Sequence, residues 1–201
     1  MDISWTETEQ KRREKEPRYW FNKSSDFKAA AGALHFCINF KGEESVAQSL
    51  GLGDWFDMSH ATWPVYLMLC GLSLETIYKG TIVAKHGDLK SIHNLVELSK
   101  AADVHMSTED KGLIEILAEA VYWYGKYPAP LAKSHAKMAR LSDLATQHLT
   151  ERVPELSIAL RRSKSPHPLE WEGFCRLWAQ GNEAFRRHTP NPYNLRESGK
   201  N

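Results

Sequence analysis

Apolar residues recur at helical spacings along most of this chain. The clearest stripe is Trp63, Leu67, Cys70, Leu74, Ile77 and Ile82, at intervals of three, four and five, which predicts a long helix with one face on a core. Met68, Leu69, Leu72 and Tyr78 widen the stripe, so much of that helix is expected to be buried. Its start is placed at His60 or Ala61, with Pro64 near the first turn, and Gly87 beside His86 marks its end. A second helix, capped by Asp88 or Ser91, carries Ile92, Leu95, Val96, Leu98 and Ala101, with His93 in its first turn. Ser107-Thr108-Glu109-Asp110 opens a third, a Ser cap followed by acids. That helix carries Leu113, Ile116, Leu117, Ala120, Val121 and Tyr124 and breaks at Pro128.

Weaker patterns flank this organising stretch. Residues 1–24 form an arm of mixed charge in which Pro17 stops any helix. Its consecutive aromatics, Tyr19, Trp20 and Phe21, are expected to dock it on the domain or on a partner, a second copy included. Ser24, Ser25 and Asp26 offer caps for a helix through Phe27, Ala30, Ala31, Leu34, Phe36, Cys37 and Ile38. A short helical piece around 44–50 leads to a loop whose Trp55 and Phe56 read as a plug. Residues 131–153 are helical in pattern, and Trp171, Phe174, Leu177, Trp178 and Phe185 mark a last helix. Strand alternation and hairpin dipeptides are missing from the sequence. The expected fold is all-α, a bundle of about five to seven helices. Residues 25–188 form its single domain around a core at 60–128 with N- and C-terminal helical extensions, and 189–201 form a polar tail.

Composition adds bounds. Of 201 residues, 42% are apolar and 25% charged, the balance of a globular domain able to bury a core. A formal net charge of +1 gives no global pull toward nucleic acid or membrane. The three cysteines are odd in number and far apart, which fits buried reduced thiols, and the start of the chain lacks the apolar run of a signal peptide. The expected location is cytoplasmic, with no membrane partner.

Candidate chemistry is sparse. Glu75 and Lys79 stand four apart in the favourable order, which by spacing alone reads as a surface ion pair. Gly51 and Gly53 lack the preceding strand and third glycine of a phosphate-binding loop. Nine histidines include no pair three or four apart on one helix, and Cys-x-x-Cys is missing, so neither a metal nor a cofactor is expected. Lys133, Lys137, Arg140, Arg161 and Lys164 give the region after Pro130 a basic excess, a candidate phosphate-contacting face. A solvated helix face is the favoured alternative.

Three places taken together resemble the HEPN superfamily, small α-helical bundles found in prokaryotic defence and toxin systems and beside nucleotidyltransferases. The long helix has Glu75, Lys79 and Gly80, like the Glu, Lys and small residue of the family's helix. His93-Asn94-Leu95 stands where the family often has His-Asp-Leu. Trp123-Tyr124-Gly125-Lys126-Tyr127-Pro128 is similar to the aromatic stretch and Arg-Tyr-Pro that close the third helix in one branch. The resemblance covers about a third of the chain. It implies a HEPN-like core at 60–128, often dimeric, with a polar cleft that meets RNA or nucleotides, here through Glu75, Lys79, His93, Lys126 and Tyr127. Catalytic members carry an Arg followed by His after four to six residues near the start of the final helix. Here Arg162 and His167 alone match, with Pro166 and Pro168 flanking the His. The expected function is therefore a non-catalytic module that binds RNA, a nucleotide or a protein partner. The alternatives are a metal-independent ribonuclease using Arg162 and His167, and a purely structural interaction module.

Overall fold

Asp57 starts the central helix: its carboxylate accepts the backbone N–H of His60 at 2.8 Å, capping α4 (Met58–His86). Pro64 therefore is the seventh residue of the helix, nearly two turns inside it and not at its head. Gly87 ends it in the left-handed region (φ 73°), with its N–H on the carbonyl of Val83. A computed structural model of the chain describes residues 3–39, 43–53, 55–88, 91–130, 135–153 and 160–189. Among them are eight α-helices, one π-helical turn and a two-stranded hairpin, an all-α bundle built around α4.

By length and composition α4 could cross a membrane, yet 72% of its most apolar window is buried within the chain. Its neighbours are α2 (Pro17–Asn39), α5 (Leu95–Ala101), α6 (Thr108–Glu119) and α8 (Trp171–His188). Tyr66, Leu74, Ile77, Tyr78, Leu113, Leu117, Phe174 and Phe185 form the core between them, each essentially without solvent contact.

Close approaches depend on two glycines of α4. A Cβ on Gly71 would lie 2.5 Å from Val121 Cγ2 and 2.8 Å from the carbonyl of Leu117, so α6 packs directly on the α4 backbone. A Cβ on Gly80 would lie 2.9 Å from Trp20 Cβ, so the small residue lets α2 settle on α4.

Several expected boundaries move. α1 (Ile3–Lys15) ends before Pro17, which opens α2, and α2 then runs unbroken through Tyr19–Phe21 and position 24. Proline is tolerated at a first helical position because its missing N–H would be unpaired there anyway. Ser24 is thus a core residue, not a cap. α3 (Glu43–Ser49) matches the short piece expected. Trp55 is 99% exposed and Phe56 42%, so they are no plug. Cys37 is exposed as well, unlike Cys70.

Asn94 caps α5, its side-chain oxygen accepting from Val96 N and Glu97 N at 3.0 and 3.1 Å. His93 therefore lies just outside the helix rather than in its first turn. Ser107 caps α6 as its sequence predicts. The end of α6 widens into a π turn, Ala120–Tyr124, closed by Gly125 N on the carbonyl of Ala120. After α7 (His135–Leu149) the chain forms β1 (Thr150–Arg152), paired antiparallel with β2 (Arg161–Ser163). Arg161 stops the helix: its guanidinium donates to the carbonyls of Thr146 and Thr150 at 2.9 and 3.0 Å. Strands of three residues are too short to show alternation.

Candidate functional site

Glu75 and Lys79 share the face of α4 that meets the segment before α5. Lys79 Nζ donates to Glu75 Oε1 at 2.7 Å, and each residue is only 6% exposed. The surface ion pair read from spacing is thus a buried one. A buried pair carries a desolvation penalty that its mutual attraction offsets only with good geometry.

His93 closes the site from outside. Its Nδ1 stands 2.9 Å from the same Oε1, while its side chain is 74% exposed. Asn94 places it there: by capping α5 it fixes the chain direction one residue earlier. A carboxylate accepting at Nδ1 selects the tautomer with its proton on that nitrogen and leaves Nε2 for solvent or a ligand. Neutral His93 offers Nε2 as an acceptor; protonated, it offers a cationic donor suited to phosphate or carboxylate. Three residues picked from two separate places in the sequence meet at one carboxylate oxygen.

Other sequence candidates lie elsewhere. Gly125 packs against Met68 and Pro64, seven and eleven residues before Glu75 on α4, so the exposed Lys126 and Tyr127 follow a contact that lies about 10 Å or more along the helix from Glu75. Lys133 lies outside the described residues. Lys137 sits 4.0 Å over the ring of Tyr122, and Arg140 donates to Glu115 at 2.9 Å. Arg161 caps α7, and Lys164 donates to Glu109 at 2.8 Å. Each described member of the expected basic face therefore has a partner within the chain. Arg162 Nε donates to Glu151 at 2.8 Å, whereas His167 meets Trp63 edge-on with centroids 5.3 Å apart. Phe21 stacks on Phe185 at 5.0 Å, Trp20 donates to the carbonyl of Glu14, and Arg12 donates to the hydroxyl of Tyr19 at 2.5 Å.

Sequence reasoning missed a second polar cluster. Asp110, 4% exposed, accepts from Arg176 at 2.5 Å and from Gln180 at 3.0 Å. Burial alone would raise its pKa, but the bonds from Gln180 and Arg176 hold the carboxyl below its ordinary value. The partners lie 66 and 70 residues away, so local spacing held no signal. Among the described residues no group of three or more His, Cys, Asp or Glu side chains is placed to hold a metal ion. Compared with protein-family models, with characterised proteins and with solved structures, the chain matches none.

Proposed function

We propose that this chain is a HEPN-like helical module that binds RNA or a nucleotide at His93, without chemistry of its own, in a defence- or toxin-type setting. The observation that carries the reading is the meeting of His93 and Lys79 on Glu75 Oε1. It puts one exposed imidazole over a buried ion pair, with one ring nitrogen on the carboxylate and the other turned to solvent. Phosphate oxygens are natural partners for a protonated imidazole. The non-catalytic form is supported by the separate engagements of Arg162 with Glu151 and of His167 with Trp63.

Fluorescence anisotropy with labelled single-stranded RNA and labelled mononucleotides tests the reading. His93 is exposed, so His93→Ala should fold as the wild type and bind at least tenfold more weakly. Absence of binding by the wild type, or equal binding by His93→Ala, would overturn it. Lys137→Ala and Arg140→Ala should weaken binding less than His93→Ala, because those cations already have partners.

A further inference from the structure

An aromatic cavity of about 290 Å³ opens between α4, the π turn and α7, away from the His93 site. Two indoles form its walls. Trp63 stacks on Tyr66 at 5.3 Å and takes His167 against its edge. Trp123 donates its N–H to Glu119 at 2.7 Å and meets Tyr124 edge-on. Both rings are therefore fixed before anything binds, which removes an ordering cost from association. Leu141, Ser142 and Ala145 of α7 line the side facing them. None of the lining side chains is charged.

The backbone gives a second, independent sign. Trp123 and Tyr124 belong to the π turn, Ala120–Tyr124. π turns are rare interruptions of α-helices and occur frequently at functional sites. Two aromatic residues of this one, Trp123 and Tyr124, line the cavity. Gly125 anchors the turn: a Cβ there would lie 2.5 Å from Met68 Cβ and 2.9 Å from the carbonyl of Pro64.

We infer that this cavity is a binding site for a small, uncharged, planar aromatic molecule of one or two rings. The volume sets the size, at the lower end of small-molecule pockets. The lack of charge in the lining excludes an ionic ligand, whose desolvation would go uncompensated. The fixed indoles select flat π-faces over flexible chains, through offset-stacked or edge contacts. The Trp123 N–H is already given to Glu119, so Trp63, Tyr124 and Ser142 are the lining residues left with a polar group to meet one on the ligand's edge.

Indole is the probe, with octanoate as the flexible anionic comparison. In equilibrium dialysis the full chain should take up one indole per molecule, saturably, and should hold octanoate at least tenfold more weakly. Ala145→Phe fills the cavity and should lower indole uptake at least tenfold while the circular dichroism spectrum is unchanged. Uptake unaffected by Ala145→Phe, or no saturable uptake by the wild type, would overturn the inference. Should Ala145→Phe fail to fold, ¹⁹F spectra of the wild type carrying 5-fluorotryptophan decide. Indole should move the resonances of Trp63 and Trp123 and leave that of the exposed Trp55 in place. Movement at Trp55 alone would overturn the proposal.

Discussion

Ser24 and Ser73 bond each other reciprocally across the α2–α4 contact. Each hydroxyl donates to the other's backbone carbonyl at 2.8 Å, and the Trp178 N–H from α8 donates to Ser24 Oγ at 2.9 Å. One small hydroxyl thus ties three helices together inside an apolar core. Ser24→Ala removes the acceptor of Trp178 and the donor to Ser73. A buried polar group left unsatisfied costs about 1–3 kcal/mol. The expected loss lies in that range, read as a lowered urea midpoint with unchanged slope; Ser25→Ala, on the neighbouring part-buried residue, should cost less.

The buried pair of Glu75 and Lys79 makes an asymmetric prediction. Glu75→Leu alone leaves an ammonium buried without its carboxylate, and Lys79→Met alone leaves a buried carboxylate that keeps only the exposed His93 as a partner. Removing one partner of a buried pair costs about 3–5 kcal/mol, whereas replacing both by apolar side chains is often neutral or better. The double variant Glu75→Leu/Lys79→Met should therefore be more stable than either single variant in urea unfolding. On the proposed function it should still lose ligand, because His93 would have no carboxylate to orient it. A double variant no more stable than the singles would show that the pair does not act as a unit.

What the sequence showed, and what it hid, follows from range. The α4 stripe, the Gly87 stop and the Ser107 cap are local signals, each written within one or two helical turns, and each is found where expected. The meeting of Glu75, Lys79 and His93 was not legible from spacing, which put the ion pair at the surface, since burial depends on what packs over a helix. α2 and α8 pack on α4 from distant parts of the chain. Ser24 was misread as a cap for the same reason. A serine two residues before an acid looks alike at a helix end and at a buried contact, and the deciding partner, Ser73, is 49 residues away. The hairpin of Thr150–Arg152 and Arg161–Ser163 gave no period to read in three residues a side.

Asp110 predicts acid sensitivity. Its carboxyl is held below its ordinary value in the folded state, since the bonds from Gln180 and Arg176 outweigh burial. A group of this kind contributes stability that is fully present above its unfolded pKa, about 3.9 for Asp, and lost as pH falls through the lower folded value. The wild type should therefore lose Tm steeply below about pH 4. Asp110→Asn should be less stable at neutral pH, with a shallower fall in acid. Parallel curves for the two proteins would place the acid sensitivity elsewhere, for example at Glu9 or Asp57, whose carboxyls are also held low.

His167 bears on the nuclease alternative. Its ring lies edge-on to Trp63, and burial lowers its pKa while Glu170 pulls more weakly the other way. Arg162, the other half of the required pair, is engaged by Glu151. A ribonuclease would need both groups on one phosphate, with the imidazole passing a proton. With EDTA present, mixed total RNA should stay intact in the presence of either wild type or His167→Ala; cleavage by the wild type that vanishes in the variant would restore the enzyme reading and place its site. The same histidine has a signature in stability. As pH falls below about 6.5, the ordinary histidine value, the unfolded chain takes up a proton that folded His167 resists. The stability from its neutral form is complete above that pH and is lost as pH falls through the lower folded value. His167→Phe keeps an aromatic ring beside Trp63 but cannot titrate. Comparing Tm for the two proteins from pH 7.5 to 5, the wild type should decline relative to His167→Phe, and a constant difference would mean that His167 reaches water as freely as it does in the unfolded chain.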